Sequence, residues 1–139
     1  MNLDIDYNPS RQDIMDLEKR LIEYNRHKAD GYEYDQFIVK AMNSYDHVIA
    51  ALHAQTGGSW LYISSLWVDE QYRCHGLGTK LLRQAEEVGL KKGCASAYLY
   101  TYSFQSPEFY IKAGFHEFGC LDNFFGSHSK IYMKKSLYS

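Results

Sequence analysis

The 139-residue chain sets 15 Lys and Arg against 17 Asp and Glu, a formal net charge of −2, with 45% hydrophobic residues. That balance gives no basic footprint for nucleic acid and no general attraction to an anionic membrane. Three cysteines, Cys74, Cys94 and Cys120, are too few and too widely spaced for a disulfide framework or a metal-site pattern. No apolar run approaches the roughly 20 residues needed to span a bilayer, and the start, "MNLDIDYNPS", lacks the basic-then-apolar order of a signal peptide. A cytosolic location with no membrane partner and no metal is expected, for a single domain over residues 1–139.

In chain order, "NLDIDY" alternates apolar and polar residues and predicts a short first strand. Ser10 is a good N-cap, and Ile14, Leu17, Leu21 and Tyr24 then fall on one helical face. Three strand patterns follow, "QFIVKAM", "HVIAALHAQ" and "WLYISSLWV", separated by the hairpin-type breaks "NSYD" and "TGG". Leu77, Leu81, Leu82, Ala85 and Val88 then repeat at helical spacing, and "KKG" closes that helix with cations and a glycine. "ASAYLYTY" reads as a strand and "SPEFYIKAG" as a helix with Pro at its first position. The strands "FHEFG" and "KIYMKKSLY" close the chain around the loop "LDNFFGSHS". A β–α–β unit preceded by a meander implies an α/β fold, a central mixed sheet with helices on both faces.

The segment "RCHGLGTK" joins the fourth predicted strand to the second helix. Its glycine pair, Gly76 and Gly78, suits a backbone that approaches phosphate closely. A Walker A loop is excluded because Thr79 stands between Gly78 and Lys80, and a dinucleotide fingerprint because Leu81 stands where a third glycine is needed. What remains is R/Q-x-x-G-x-G/A, met as Arg73-Cys74-His75-Gly76-Leu77-Gly78 between an apolar strand and an amphipathic helix. With the downstream "KKGCASAYLYTYSFQSPEFYIKAGF", ending in Tyr110, Gly114 and Phe115, the chain resembles the GNAT superfamily of acyl-CoA-dependent N-acetyltransferases. The resemblance covers roughly the C-terminal two-thirds of the chain.

The resemblance implies acetyl-CoA as cosubstrate, with its pyrophosphate wrapped by the N–H groups from Arg73 through Cys74, His75, Gly76, Leu77 and Gly78 to Thr79. Arg73 would add charge and Thr79 a hydroxyl. It also implies that the fourth and fifth predicted strands splay, with the pantetheine arm beside Leu66, Trp67 and Val68. Tyr110 would give a proton to the departing thiolate, an apt role for a phenol whose pKa of about 10 is near that of a thiol. The expected reaction is direct attack by a primary amine of a small-molecule acceptor, in a ternary complex.

The fourth strand pattern contains no acid or histidine that would serve as a base. Glu33, Asp35, His53, Asp69 and Glu70 are candidates, none of them singled out. Ser103 and Gln105 are open between ligand contacts and turn capping. Two other functions use the same fold: an acyl-CoA sensor without a productive acceptor site, and an interaction module without cofactor. Strand edges near the C-terminus allow a homodimer.

Overall fold

A computed structural model describes residues 1–138. The chain divides into two compact units, Met1–Glu33 and Tyr34–Ser139.

The first unit is built around α1 (Arg11–Lys28). Ser10 Oγ accepts from the Asp13 N–H at 3.0 Å, and the Asp13 carboxylate accepts from the Ser10 N–H at 3.3 Å. This reciprocal box satisfies two N–H groups at the helix start. Arg26, His27 and Lys28 in the last turn complement the negative end of the helix dipole. The strand expected at "NLDIDY" is not formed. Alternation supplies two faces but no ladder partner, and the Asp6 carboxylate instead accepts from the Asn8 N–H at 2.9 Å, turning the chain toward α1.

In the second unit the strands are β1 (Tyr34–Met42), β2 (Val48–Gly57), β3 (Trp60–Val68), β4 (Ser96–Tyr102), β5 (His116–Phe125) and β6 (His128–Ser136). The helices are α2 (Leu77–Lys91) and α3 (Pro107–Lys112). The sheet runs β1-β2-β3-β4-β6-β5, antiparallel except where β3 and β4 lie parallel. This is the mixed sheet that the order of elements implies. The last two strands extend across most of the expected loop, because Asn123, at φ 53°, and a register shift between Leu121 and Phe125 let the ladder resume at Phe125 and His128.

Alternation sorts the strands cleanly. Leu61 and Ile63 of β3, Ala97 and Leu99 of β4 and Met133 of β6 are buried with Leu81, Leu82 and Ala85 of α2. The intervening residues, Tyr62, Tyr98, Tyr100 and Tyr132 among them, face the other way.

One ion pair ties the helices to the sheet. Lys135 Nζ lies 2.7 Å from the Glu86 carboxylate on α2 and donates to the Ala113 carbonyl at the end of α3 at 2.8 Å. Both side chains are only 17% exposed. Removing one partner strands the other charge away from water, so Lys135→Met is expected to cost about 3 kcal/mol in urea unfolding. The double variant Lys135→Met/Glu86→Leu is expected to regain most of that loss. Equal stability of the single variant and the parent would show that the pair does not bear on the fold.

Candidate active site

The site begins where a ladder stops. β3 and β4 pair only at Trp60–Ser96, Leu61–Ala97 and Tyr62–Tyr98. Opposite β2, His53 pairs with Ser65 but Ala54 pairs with Ile63, which leaves Ser64 as the extra residue of a β-bulge. A bulge bends its strand and sharpens the local twist. Beyond it β3 and β4 diverge, and a cleft of about 680 Å³ opens between them.

On one wall of this cleft stand Ile63, Ser64, Ser65, Leu66 and Val68; on the other, Tyr100, Thr101 and Tyr102. The Asp69 N–H bonds the Ile49 carbonyl at 2.8 Å, which fixes the parity of β3. With Asp69 and, two residues earlier, Trp67 turned to β2, the main-chain groups of Leu66 and Val68 point to the open side. Arg73 Nε accordingly reaches the Val68 carbonyl at 3.1 Å.

At one mouth of the cleft lie Tyr72, Arg73, Cys74, Gly76, Leu77, Gly78 and Thr79. Gly76 is the N-cap of α2 at φ 78°, a left-handed conformation that side chains disfavour, and a Cβ there would point into open space. No side chain caps the helix. Lys80 is the first residue whose N–H bonds back, to the Gly76 carbonyl at 3.1 Å. The N–H groups of Leu77, Gly78 and Thr79 precede it and have no intrahelical acceptor. Open N–H groups, the positive end of a 15-residue helix and an arginine beside them fit a phosphate-bearing molecule.

Gly78 serves a second purpose. A Cβ there would lie 3.2 Å from the Phe109 ring of α3 and 4.0 Å from Leu66 Cδ2. The glycine therefore lets α2, α3 and β3 close around the cleft. Gly78→Val is expected to destabilise the fold by about 1–3 kcal/mol, read as a lower thermal midpoint. Adding Phe109→Leu is expected to restore part of it; no recovery would assign the cost to the backbone instead.

Tyr110 and Phe109 line the cleft from α3. The Tyr110 ring is edge-on to Phe109 at 5.0 Å and to Phe115 at 6.0 Å, and burial pushes its phenol pKa up. The phenol therefore keeps its proton at neutral pH. Gln105 also lines the cleft; its Oε1 accepts from Thr101 Oγ1 at 3.1 Å and from the Tyr102 N–H at 3.0 Å. Those bonds leave the amide NH2 as the end that can serve a ligand. Ser103 instead accepts from the Ser129 N–H at 2.9 Å and fastens β4 to the β5–β6 hairpin.

Leu66, Val68, Arg73, Cys74, Gly76, Leu77, Gly78, Thr79 and Tyr110 thus converge on one cleft. Trp67 and His75 do not line it. Trp67 is 48% exposed, and its main chain is turned to β2. Of the residues weighed as bases, Asp35, His53 and Asp69 do not line it either. Asp35 is paired with Lys92 at 2.6 Å, and the hydrogen bond from Lys92 holds its carboxyl below the usual range. His53 bonds Gln36 at 2.9 Å, and Asp69 accepts from the Gln71 N–H at 3.0 Å. Sequence reasoning missed Ser64 and Ser65. Two small polar residues inside an apolar strand were the available signal for a bulge.

Comparison with known proteins fits this arrangement. The family model described as acetyltransferase (GNAT) family matches residues 3–115. The acetyltransferase Atu2258 of Agrobacterium fabrum is 30% identical over 115 residues, covering 83% of this chain and 84% of that protein. Blasticidin-S acetyltransferase of Streptomyces morookaense is 39% identical over 57 residues, 40% of this chain and 42% of that protein. A crystal structure of an acetyltransferase from Agrobacterium tumefaciens superposes with a TM-score of 0.91 at 26% identity, over 98% of this chain and 99% of that one.

Proposed function

The chain belongs to the acetyltransferase (GNAT) family, and from that premise we propose that it moves the acetyl group of acetyl-CoA to a primary amine of a small molecule, by direct attack in a ternary complex. The observation that carries this reading is the end of the β3–β4 ladder at Tyr62–Tyr98, beyond which the α2 N-terminus, the free edge of β3 and Tyr110 share one cleft. We assign the whole of residues 1–139 to one acetyltransferase domain, since the family match crosses the boundary between the two units. A small-molecule acceptor accords with the partial similarity to an acetyltransferase named for an antibiotic.

The pyrophosphate of the cosubstrate is held by the N–H groups of Leu77, Gly78 and Thr79, with the Arg73 guanidinium and the Thr79 hydroxyl beside it. The pantetheine arm adds to the open edge of β3 as a further strand would, bonding the main chain of Leu66 and Val68. A main-chain N–H on this edge donates to the thioester oxygen, which gains charge as the amine attacks. As the carbon–sulfur bond breaks, Tyr110 gives its proton to the thiolate, and the proton shed by the attacking nitrogen as the amide forms restores the phenol through water. Cys74 and His75 are carried in the loop without a chemical role. The amine loses its own proton to water, with no side chain assigned as base.

The test is to supply acetyl-CoA with a panel of primary amines and follow free thiol together with the acetylated product. Equal amounts of both are expected. Binding of acetyl-CoA without product from any amine would make the chain an acyl-CoA sensor. At the other end of the sheet, β5 leaves an unpaired edge, and a second copy would pair there to give a homodimer.

A further inference from the structure

Two residues of the cleft belong also to a larger aromatic surface. Tyr100 and Tyr102 line the cleft, yet their side chains stand on the sheet face away from α2. There Tyr102 stacks on Phe104 at 5.3 Å with planes 6° apart and meets Phe124 and Phe125 at 5.8 and 5.2 Å. Tyr100 meets Tyr132 at 5.9 Å, and Tyr62 stacks on Tyr98 at 4.8 Å. Flat rings in such number offer a wall on which another flat ring gains dispersion and quadrupole contacts.

Two lysines stand over the rings of this wall. Lys130 Nζ sits 3.9 Å from the Tyr100 ring centroid, 4.9 Å from Phe124 and 5.4 Å from Tyr132. Lys134 lies 5.3 Å over Phe118. The two ion pairs among the described residues are Lys92–Asp35 and Lys135–Glu86, so neither lysine on the wall is neutralised by a carboxylate there. A cationic ligand would have to approach Lys130 over rings whose negative faces its ammonium already occupies. An anionic one would gain a charge-assisted partner held in place by three rings.

Resting on the acetyltransferase reading, we infer that the acceptor is an aromatic amine bearing an acidic group, its ring against Tyr100 and Tyr102 and its acid on Lys130. Burial and neighbouring phenols push the Tyr62 pKa to about 12, which keeps a neutral hydroxyl donor beside Tyr100. The acid fixes the ring, and the ring presents the amine toward the cleft that Tyr100 shares with Tyr110. A polycationic acceptor is disfavoured by the same arrangement.

The test is isothermal titration of the protein saturated with CoA, using 4-hydroxyphenylacetate, 4-hydroxyphenethylamine and cyclohexylacetate. The aromatic acid is expected to bind at least about tenfold more tightly than the aromatic cation or the saturated acid, a difference of ~1.4 kcal/mol. Lys130→Met is expected to abolish that preference and Lys130→Arg to retain it, both variants keeping the parent's affinity for CoA. Tighter binding of the aromatic cation, an unchanged preference in Lys130→Met, or no binding of the three probes by the CoA-bound protein would each overturn the inference. Failure of the parent protein to bind CoA, titrated beforehand to establish saturation, would instead remove the acetyltransferase reading, and the acceptor assignment with it.

Discussion

Tyr110→Phe is expected to lower kcat by about 100- to 10,000-fold, the range typical of a positioned proton donor, while the Kd for acetyl-CoA stays at its parent value. The substitution removes one hydroxyl and keeps the ring that packs against Phe109 and Phe115. Steady-state kinetics and a direct binding titration separate the two quantities. Loss of kcat without loss of affinity is the signature of an interaction made only as the reaction proceeds. An unchanged kcat would take Tyr110 out of the chemistry and leave it a packing residue. The pH profile gives an independent reading. Because burial raises the phenol pKa, Tyr110 remains protonated at neutral and mildly alkaline pH. Activity that depends on this proton is fully present below the raised pKa and is lost as pH climbs through it. The parent's kcat should therefore show no fall assignable to Tyr110 below about pH 10, the ordinary phenol value.

Gly76→Asp is expected to weaken acetyl-CoA binding by about 2–4 kcal/mol, or roughly 30- to 1,000-fold, through a carboxylate set against phosphate at the helix start. Gly76 holds φ at 78° with open space where a Cβ would stand, so a short side chain is strained but not clashed. Gly76→Ala separates the two effects. It carries the backbone strain, of about 1 kcal/mol on stability, without the charge, and is expected to bind acetyl-CoA far better than the aspartate variant. Equal losses from both would mean that loop conformation, not phosphate recognition, accounts for the glycine. At a hundred times its Kd, acetyl-CoA should stabilise the parent by about 2.7 kcal/mol, and that gain should fall to about 0.9 kcal/mol or less in Gly76→Asp at the same concentration.

The legible and illegible parts of this chain differ in how local their causes are. The pattern "WLYISSLWV" marks β3 to its end residues, and the apolar repeat from Leu77 marks α2, because alternation and helical periodicity are carried within each segment. The two glycines between Arg73 and Thr79 mark the turn into α2 for a similar reason: the left-handed N-cap at Gly76 and the close approach of Phe109 to Gly78 both call for glycine. The opening beyond Tyr62–Tyr98 has no such local signature. It depends on Ser64 being accommodated as one extra residue against β2, a matter of pairing between strands. The same bulge decides which main-chain groups face the cleft, and so separates Leu66 and Val68 from Trp67. The strand expected at "NLDIDY" failed from the same limitation, since alternation identifies two faces without supplying a neighbour. The sequence holds 13 tyrosines, but the gathering of Tyr62, Tyr98, Tyr100 and Tyr132 on one sheet face emerges only once β3, β4 and β6 are side by side.

Under the proposed function, the α2 N-terminus and the open edge of β3 together hold the cosubstrate. This is tested most directly by recording amide N–H resonances of the labelled protein as CoA is added. Saturable shifts are expected at Leu66 and Val68 on the strand and at Gly76, Leu77, Gly78 and Thr79 on the loop, all fitting one Kd. Saturable binding that leaves both groups of amides unmoved, or no binding by the folded chain, would contradict that reading.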